Sequence, residues 1–474
     1  MSYQLLIQNV LLSSPQAPSC QRMSTILAHL KQRKRKYHFN SKFTRSSKRR
    51  YQESIEIWNF ANPGGVFAFL PVEVCYNIFK NTPLKALGML SLTSRTLRDT
   101  VVHFLYSSQS ADIVVPFIFL GNETNTTMET LKFHNHYKSL GILVKRSSCL
   151  FSTKERLRKV GQVLDMLRDA HIRICNDLGS DLAYSCYGQF LHAFVAGWEL
   201  EEKSKAFIAI KGASLLEERI EKVLKSEPGK YPGYERYIRV FCREIFLDKS
   251  DSSEVAFWLA QLLKPLPMCF QSNLLFILYG PTDSETDEIQ WELVTSSSNI
   301  PKIALSELGR TFRIMWSDSK GNWNADDTVS LFEELTAVPS EWNIECISSL
   351  LAQCGEKFCC EVLGNKAMNG RTRELAYLLY HIWQRRFTWN SKSVFGKREQ
   401  SHWFVSLLRS LSNILKNEKT FNSIISQLFG IWEEFIIDGL DDLQYMSDSQ
   451  TDDEDFQLRG RLQSIISLVT CLLP

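Results

Sequence analysis

His134 and His136 form an H-x-H pair, and His171 stands four residues before Cys175, a spacing that puts both on one face of a helix. Either pair could give two ligands to a metal ion, but neither has the second pair that a zinc module requires. Cys354, Cys359 and Cys360 crowd together, with Cys346 a little upstream. Adjacent cysteines on a helix point about a hundred degrees apart, so Cys359 and Cys360 poorly chelate one ion. A nucleophilic thiol needs an activating base nearby, and the sequence identifies none. Asp326 and Asp327 sit where a helix begins, and their carboxylates are explained by the positive end of its dipole. No GxxxxGK[ST] loop, GxGxxG turn, GxSxG elbow or HExxH pair is present. The chain therefore reads as non-enzymatic, with no cofactor and no metal.

With no chemistry to position, the informative stretch is 66–106, VFAFLPVEVCYNIFKNTPLKALGMLSLTSRTLRDTVVHFLY. Pro71 suits the first helical position, and Glu73 falls in the first turn. Leu70, Val74, Ile78 and Phe79 share one side at helical spacing. Asn81, Thr82 and Pro83 end that helix, because the residue before a proline is pushed out of the helical region. A second short run carries Leu84, Leu87 and Leu90. A third, capped by Ser94, carries Leu97, Val101, Phe104 and Leu105. About forty residues usually bury too little apolar surface to stand alone. Val66, Phe67, Phe69, Met89 and Leu92 are a surplus that must meet the rest of the chain or a second protein.

The Leu70-Pro71 pair, Glu73, Val74, Ile78, Leu87, Leu90, Ser91, Leu92, Ser94 and Arg95 together resemble an F-box. Three positions depart from that motif: Thr82 replaces a usual leucine, Ala86 a common acidic residue and Thr93 a common valine. Further segments, among them HYKSLGILVKR, FCREIFLD, AFWLAQLLKPLPM and ADDTVSLFEELTAVPSEW, extend the likeness to an F-box protein family over roughly 66–376. The flanking basic tail and last hundred residues match poorly and inherit nothing from it. The resemblance implies a substrate-recognition subunit of a Skp–cullin–F-box ubiquitin ligase, docking on S-phase kinase-associated protein 1 and through it on a cullin. Its adaptor-contacting residues would be Leu70, Pro71, Val74, Ile78, Phe79, Leu84, Leu87, Leu90 and Leu92. It also implies a nuclear role in meiotic prophase. The alternative is a non-degradative nuclear scaffold binding chromosome-axis or telomere proteins.

The formal charge of +3 hides a basic start and an acidic end. Residues 1–62 read as a disordered basic tail. Lys31, Arg33, Lys34, Arg35 and Lys36 form one cluster, and Lys48, Arg49 and Arg50 a second. Their spacing suits nuclear import or a nucleic-acid arm, and import is favoured because no recognition fold follows. Residues 107–130 read as a linker with an extended run at 113–120, where Pro116 argues against a central strand.

From 131 to 437 the pattern is helical almost throughout, with Pro/Gly-marked turns. One of its helices, 234–247, leaves a basic face of Arg236, Arg239 and Arg243. Consecutive apolar-faced pairs imply stacked hairpins, a substrate-binding α-solenoid whose target stays unknown. Spacings near thirty-four and forty to forty-seven residues show no repeated signature, so the array reads as irregular. Residues 438–456 read as an acidic disordered loop in which Ser447 and Ser449 lie among carboxylates, and 457–474 as a last apolar helix. The fold class is thus all-α. Twelve cysteines without a CxxC pair fit reduced, buried thiols and a nuclear or cytoplasmic address. No run is long and apolar enough to span a membrane.

Overall fold

The computed structural model describes residues 65–114, 127–175, 181–248, 251–296, 300–389, 394–415 and 418–445. Among them the chain is helical, with no strand and one isolated antiparallel bridge between Thr282 and Ile289. It divides into two compact units, Met1–Ala213 and Ser214–Pro474.

The first unit opens with a turn at Gly65–Phe69 and three short helices, α1 (Val72–Lys80), α2 (Leu84–Thr93) and α3 (Arg95–Leu105). Pro71 and Pro83 sit one residue before α1 and α2, and their carbonyls accept the first helical hydrogen bonds, from Val74 and Cys75 and from Ala86 and Leu87. Ser94 caps α3 by accepting from the Leu97 N–H at 3.1 Å. A short turn α4 (Ala111–Val114) follows, then α5 (Thr127–Ser147), α6 (Thr153–Cys175), α7 (Asp181–Val195) and α8 (Leu200–Ala213). Helix α5 packs along α7 and across α2, while α6 packs on α8. At the α5–α7 crossing a Cβ on Gly141 would lie 2.3 Å from the Phe190 carbonyl oxygen, so only glycine permits that approach.

The second unit holds α9 (Leu216–Leu224), α10 (Pro232–Cys242), α11 (Ser252–Leu263), α12 (Met268–Tyr279), α13 (Lys302–Trp316), α14 (Ala325–Leu335), α15 (Ile344–Cys354), α16 (Glu356–Met368), α17 (Thr372–Trp389), α18 (Val394–Leu415) and α19 (Glu418–Tyr445). From α10 onward most helices pack mainly on a helix two places away in the chain. Helices α11, α13, α15, α17 and α19 stack as one layer, and α10, α12, α14, α16 and α18 as the other. That alternation is the packing of an α-solenoid built from helical hairpins. The α13–α15 crossing is tight enough that a Cβ on Gly309 would fall 2.3 Å from the Gln353 Cβ. Helix α12 buries nearly every side chain from Gln271 to Tyr279, which its almost unbroken apolar sequence requires.

The all-α array is present, with several departures from the sequence reading. The division at Ala213 falls inside the span expected to form one array, so α5–α8 belong with the F-box-like helices. Periodicity alone runs 207–224 as one helix, but Leu215 takes a left-handed conformation (φ 54°) and separates α8 from α9. Ile113 and Val114 end a helical turn, not a strand, and the rest of the 113–120 run lies outside the described residues. Helix α19 continues to Tyr445, into the segment read as an acidic loop. The basic tail, with Lys31 to Lys36 and Lys48 to Arg50, and the 457–474 helix lie outside the described residues.

The expected basic face of α10 is consumed internally. Arg239 donates to the carbonyls of Ile277 and Gly280 at 3.0 and 2.9 Å. Arg243, in the π-helical turn Arg243–Leu247, forks onto Glu307 at 2.8 and 3.2 Å and meets Asp248 at 3.1 Å. Arg236 pairs with Asp287 at 3.1 Å. Three cations that sequence spacing places on one surface tie α10 to its neighbours.

Candidate docking site

Helices α1–α3 close a small core of Cys75, Phe79, Leu87, Leu90, Leu97, Val101, Phe104 and Leu105. Phe79 is fully buried, with its ring 5.5 Å from Phe104 edge-on and 6.2 Å from Phe67. Thr82, where a leucine is usual, is buried too, but its hydroxyl donates to the Ile78 carbonyl at 2.7 Å and leaves no orphan. Thr93 is exposed and bonds the Leu90 carbonyl at 2.8 Å. These departures from the motif cost the unit nothing visible.

The nine residues expected to contact an adaptor separate into three groups. Phe79, Leu87 and Leu90 are 0, 0 and 8% exposed, so they build the unit and have no side chain left for a partner, which corrects their assignment. Leu70, Val74, Ile78 and Leu84 are half-buried. Pro71 and Leu92 are exposed.

Three apolar side chains absent from that set face water: Phe69, Val72 and Met89. On α2 the exposed positions Lys85, Met89 and Leu92 recur at i, i+4 and i+7, so Met89 and Leu92 form one outward stripe, 53 and 54% exposed. The signal was legible, because Met89 lies opposite the inward set of Leu87, Leu90 and Ser91. Part of α2 is covered by the chain itself: Gly88 faces Leu143 and Arg146 of α5, and the Arg146 Nη1 lies 3.9 Å from the Met89 sulfur. The apolar surplus is therefore only partly sealed from within.

The residues considered for chemistry are held in structural roles. His136 Nε2 meets the Ile113 carbonyl at 2.8 Å, and His134 Nε2 meets the Ser185 hydroxyl at 2.9 Å. Burial lowers the His136 pKa despite that carbonyl. His171 and Cys175 fall on α6, but their side chains lie outside the described part. Cys346, Cys354, Cys359 and Cys360 are buried on α15 and α16. Burial pushes the Cys346 and Cys360 thiols up to about 11, and the Cys354 thiol further, the reverse of what a nucleophile needs. Among the described residues no three His, Cys, Asp or Glu side chains converge on a metal-sized site. Asp327 receives its cap from Asn324, whose side chain accepts its N–H.

A sequence profile described as "FBXO47, ARM repeats" matches residues 212–473. F-box only protein 47 of Mus musculus is 32% identical over 320 residues, covering 67% of this chain and 70% of its own length. The Homo sapiens protein of the same name matches at the same identity and coverage. No solved structure matches. A compact helical unit ahead of armadillo-type repeats, with these relatives, defines an F-box protein. More narrowly, the chain belongs to the F-box only protein 47 family.

The profile corrects two sequence readings. It runs through residue 473, so the last hundred residues belong to the family's repeat region. It also gives the array a named repeat. Helices of one layer start at 252, 302, 344, 372 and 418, steps too uneven for a fixed-period search to detect.

Proposed function

We propose that the protein is the substrate-recognition subunit of a Skp–cullin–F-box ubiquitin ligase, docking on S-phase kinase-associated protein 1 through α1–α3. The observation that carries this reading is the outward stripe of Met89 and Leu92 on an F-box-like unit whose core closes without them. An exposed apolar stripe on a short helix, touched from within where Arg146 meets the Met89 sulfur, suits a helix-in-groove contact. Burying such side chains is worth roughly 1.5–3 kcal/mol each, so a few anchors offset the cost of association. The armadillo-type unit holds a target protein. Ubiquitin transfer belongs to the recruited ligase, and this chain supplies proximity. A nuclear address through the clusters at 31–36 and 48–50, and a role in meiotic prophase, complete the proposal.

The test is co-purification with the adaptor from cells expressing the full chain, with and without Met89→Asp/Leu92→Asp. Capture by the wild type and loss by the variant, with an unchanged melting temperature, is the expected result. Failure of the wild-type chain to capture the adaptor defeats the proposal and favours the non-degradative scaffold.

A further inference from the structure

The turn that follows α7 gathers cations from two other helices of the first unit. Lys145, in the last turn of α5, donates to the Ala196 carbonyl just past the end of α7. Arg156, in the first turn of α6, lies over the Trp198 ring at 4.2 Å and the Phe194 ring at 5.8 Å. Burial, and then the Arg156 charge, hold the Lys145 pKa below its ordinary value. One turn further along α6, Lys159 sits 3.3 Å over the Tyr106 ring. Rings and a carbonyl attract these cations without neutralising them.

Carboxylates do not answer this charge. Among the described residues no Asp or Glu pairs with Lys145 or Arg156. Glu155 accepts from the Ser152 N–H and hydroxyl at the start of α6, and Glu199, next to Trp198, is exposed and pairs with neither cation. Arg156 Nε and Trp198 Nε1 are buried donors without an acceptor, a state that folded proteins rarely keep. Residues 127–165 carry eight Lys or Arg against three Asp or Glu. Ala196 and Gly197 are exposed, and a Cβ on Gly197 would meet nothing within 4 Å, so a ligand can reach the turn from solvent.

Two cations on one turn match a dianion better than a single carboxylate. A phosphate monoester carries about −1.5 to −2 charges and three acceptor oxygens, and a guanidinium suits its geometry. A nucleic-acid strand fits less well, because its bases need free aromatic faces. Here Phe194 is fully buried and the guanidinium covers Trp198. We infer that the turn after α7, with Lys145 and Arg156, binds a phosphorylated segment of a partner protein, its phosphate lying between the ammonium and the guanidinium. The site uses neither Met89 nor Leu92, so its test does not depend on adaptor capture.

Fluorescence polarisation with the full chain tests it against three probes at one salt concentration. They are a degenerate peptide library around a fixed phosphoserine, the same library with serine, and a single-stranded oligonucleotide. The phosphoserine library should bind about tenfold more tightly than the serine library, or better. Lys145→Gln and Arg156→Gln should each weaken it by about tenfold or more, the loss of one charged hydrogen bond, while Lys145→Arg retains it. If Arg156→Gln melts early because Trp198 loses its cover, Lys145→Gln against Lys145→Arg decides the matter. Equal binding of the two libraries, tighter binding of the oligonucleotide, or undiminished binding by the glutamine variants overturns the inference.

Discussion

The F-box-like helices and the first helices of the array solve opposite problems. In α1–α3, apolar side chains outnumber the interior available to them, and Met89 and Leu92 stay in water. In α10–α13, apolar side chains are plentiful on every element, and charged groups are drawn inward. Arg239 gives its guanidinium to two backbone carbonyls. Glu235, 1% exposed, accepts from the Gly229 N–H at 2.8 Å and the Trp291 indole at 3.1 Å. Residue type alone does not decide which side a side chain takes. The local supply of partners does, and it differs between a forty-residue unit and a stacked array.

The largest effect expected from disturbing this contrast comes from Phe79. Phe79→Ala removes the ring that joins α1 to α3 and should cost about 3–5 kcal/mol, enough to unfold the first unit. A denaturant titration should show an early transition lost while the array's transition stays in place. Arg239→Ala comes next. It leaves the Ile277 and Gly280 carbonyls without a donor in a buried setting, at about 2–4 kcal/mol. Burial and the neighbouring Arg243 already hold the Arg239 pKa down, to about 10, so the buried cation depends on those carbonyls. A shift of the array's transition of less than about 0.5 kcal/mol would show that water replaces the lost donor.

Met89→Asp/Leu92→Asp should do the reverse. Stability should change by no more than about 0.5 kcal/mol, as for other surface substitutions. Adaptor affinity should fall on the order of a hundredfold, the loss of two interfacial anchors. If both variants destabilise the unit as Phe79→Ala does, the stripe is core and the contrast collapses.

Much of this was legible in the sequence. Pro71, Pro83 and Ser94 mark the starts of three helices by local rules, and α11 and α12 end where Lys264-Pro265 and Gly280-Pro281 stop them. What periodicity does not carry is which of two apolar faces turns inward. Phe79, Leu87 and Leu90 look like partner anchors because they are large and regularly spaced, and the same properties make them core. The inward turn of Arg239 and Arg243 depends on carbonyls and carboxylates 38 to 64 residues away, beyond any local window. At the break the left-handed residue is Leu215 itself, while Gly212, which could have marked a stop, stays helical inside α8. The armadillo repeat was hidden because its helices differ in length, from 9 residues in α9 to 28 in α19.

The smallest effect concerns a group between the two extremes, an imidazole turned inward within the first unit. Burial lowers the folded-state pKa of His136 below its ordinary value, even though its Nε2 meets the Ile113 carbonyl. Above the unfolded pKa of about 6.5 both states are neutral and the group contributes its full stability. As pH falls through that value the unfolded chain takes up the proton first, so stability is lost on the acid side. One proton limits the slope to about 1.4 kcal/mol per pH unit. His136→Gln keeps a donor for the Ile113 carbonyl but cannot titrate. Melting of the first unit should therefore depend less on pH between 7.5 and 5.5 in the variant than in the wild type. Parallel curves would show that His136 takes up its proton at the same pH folded and unfolded, and a wild type that gains stability toward acid would place it with the inward-drawn cations of the array.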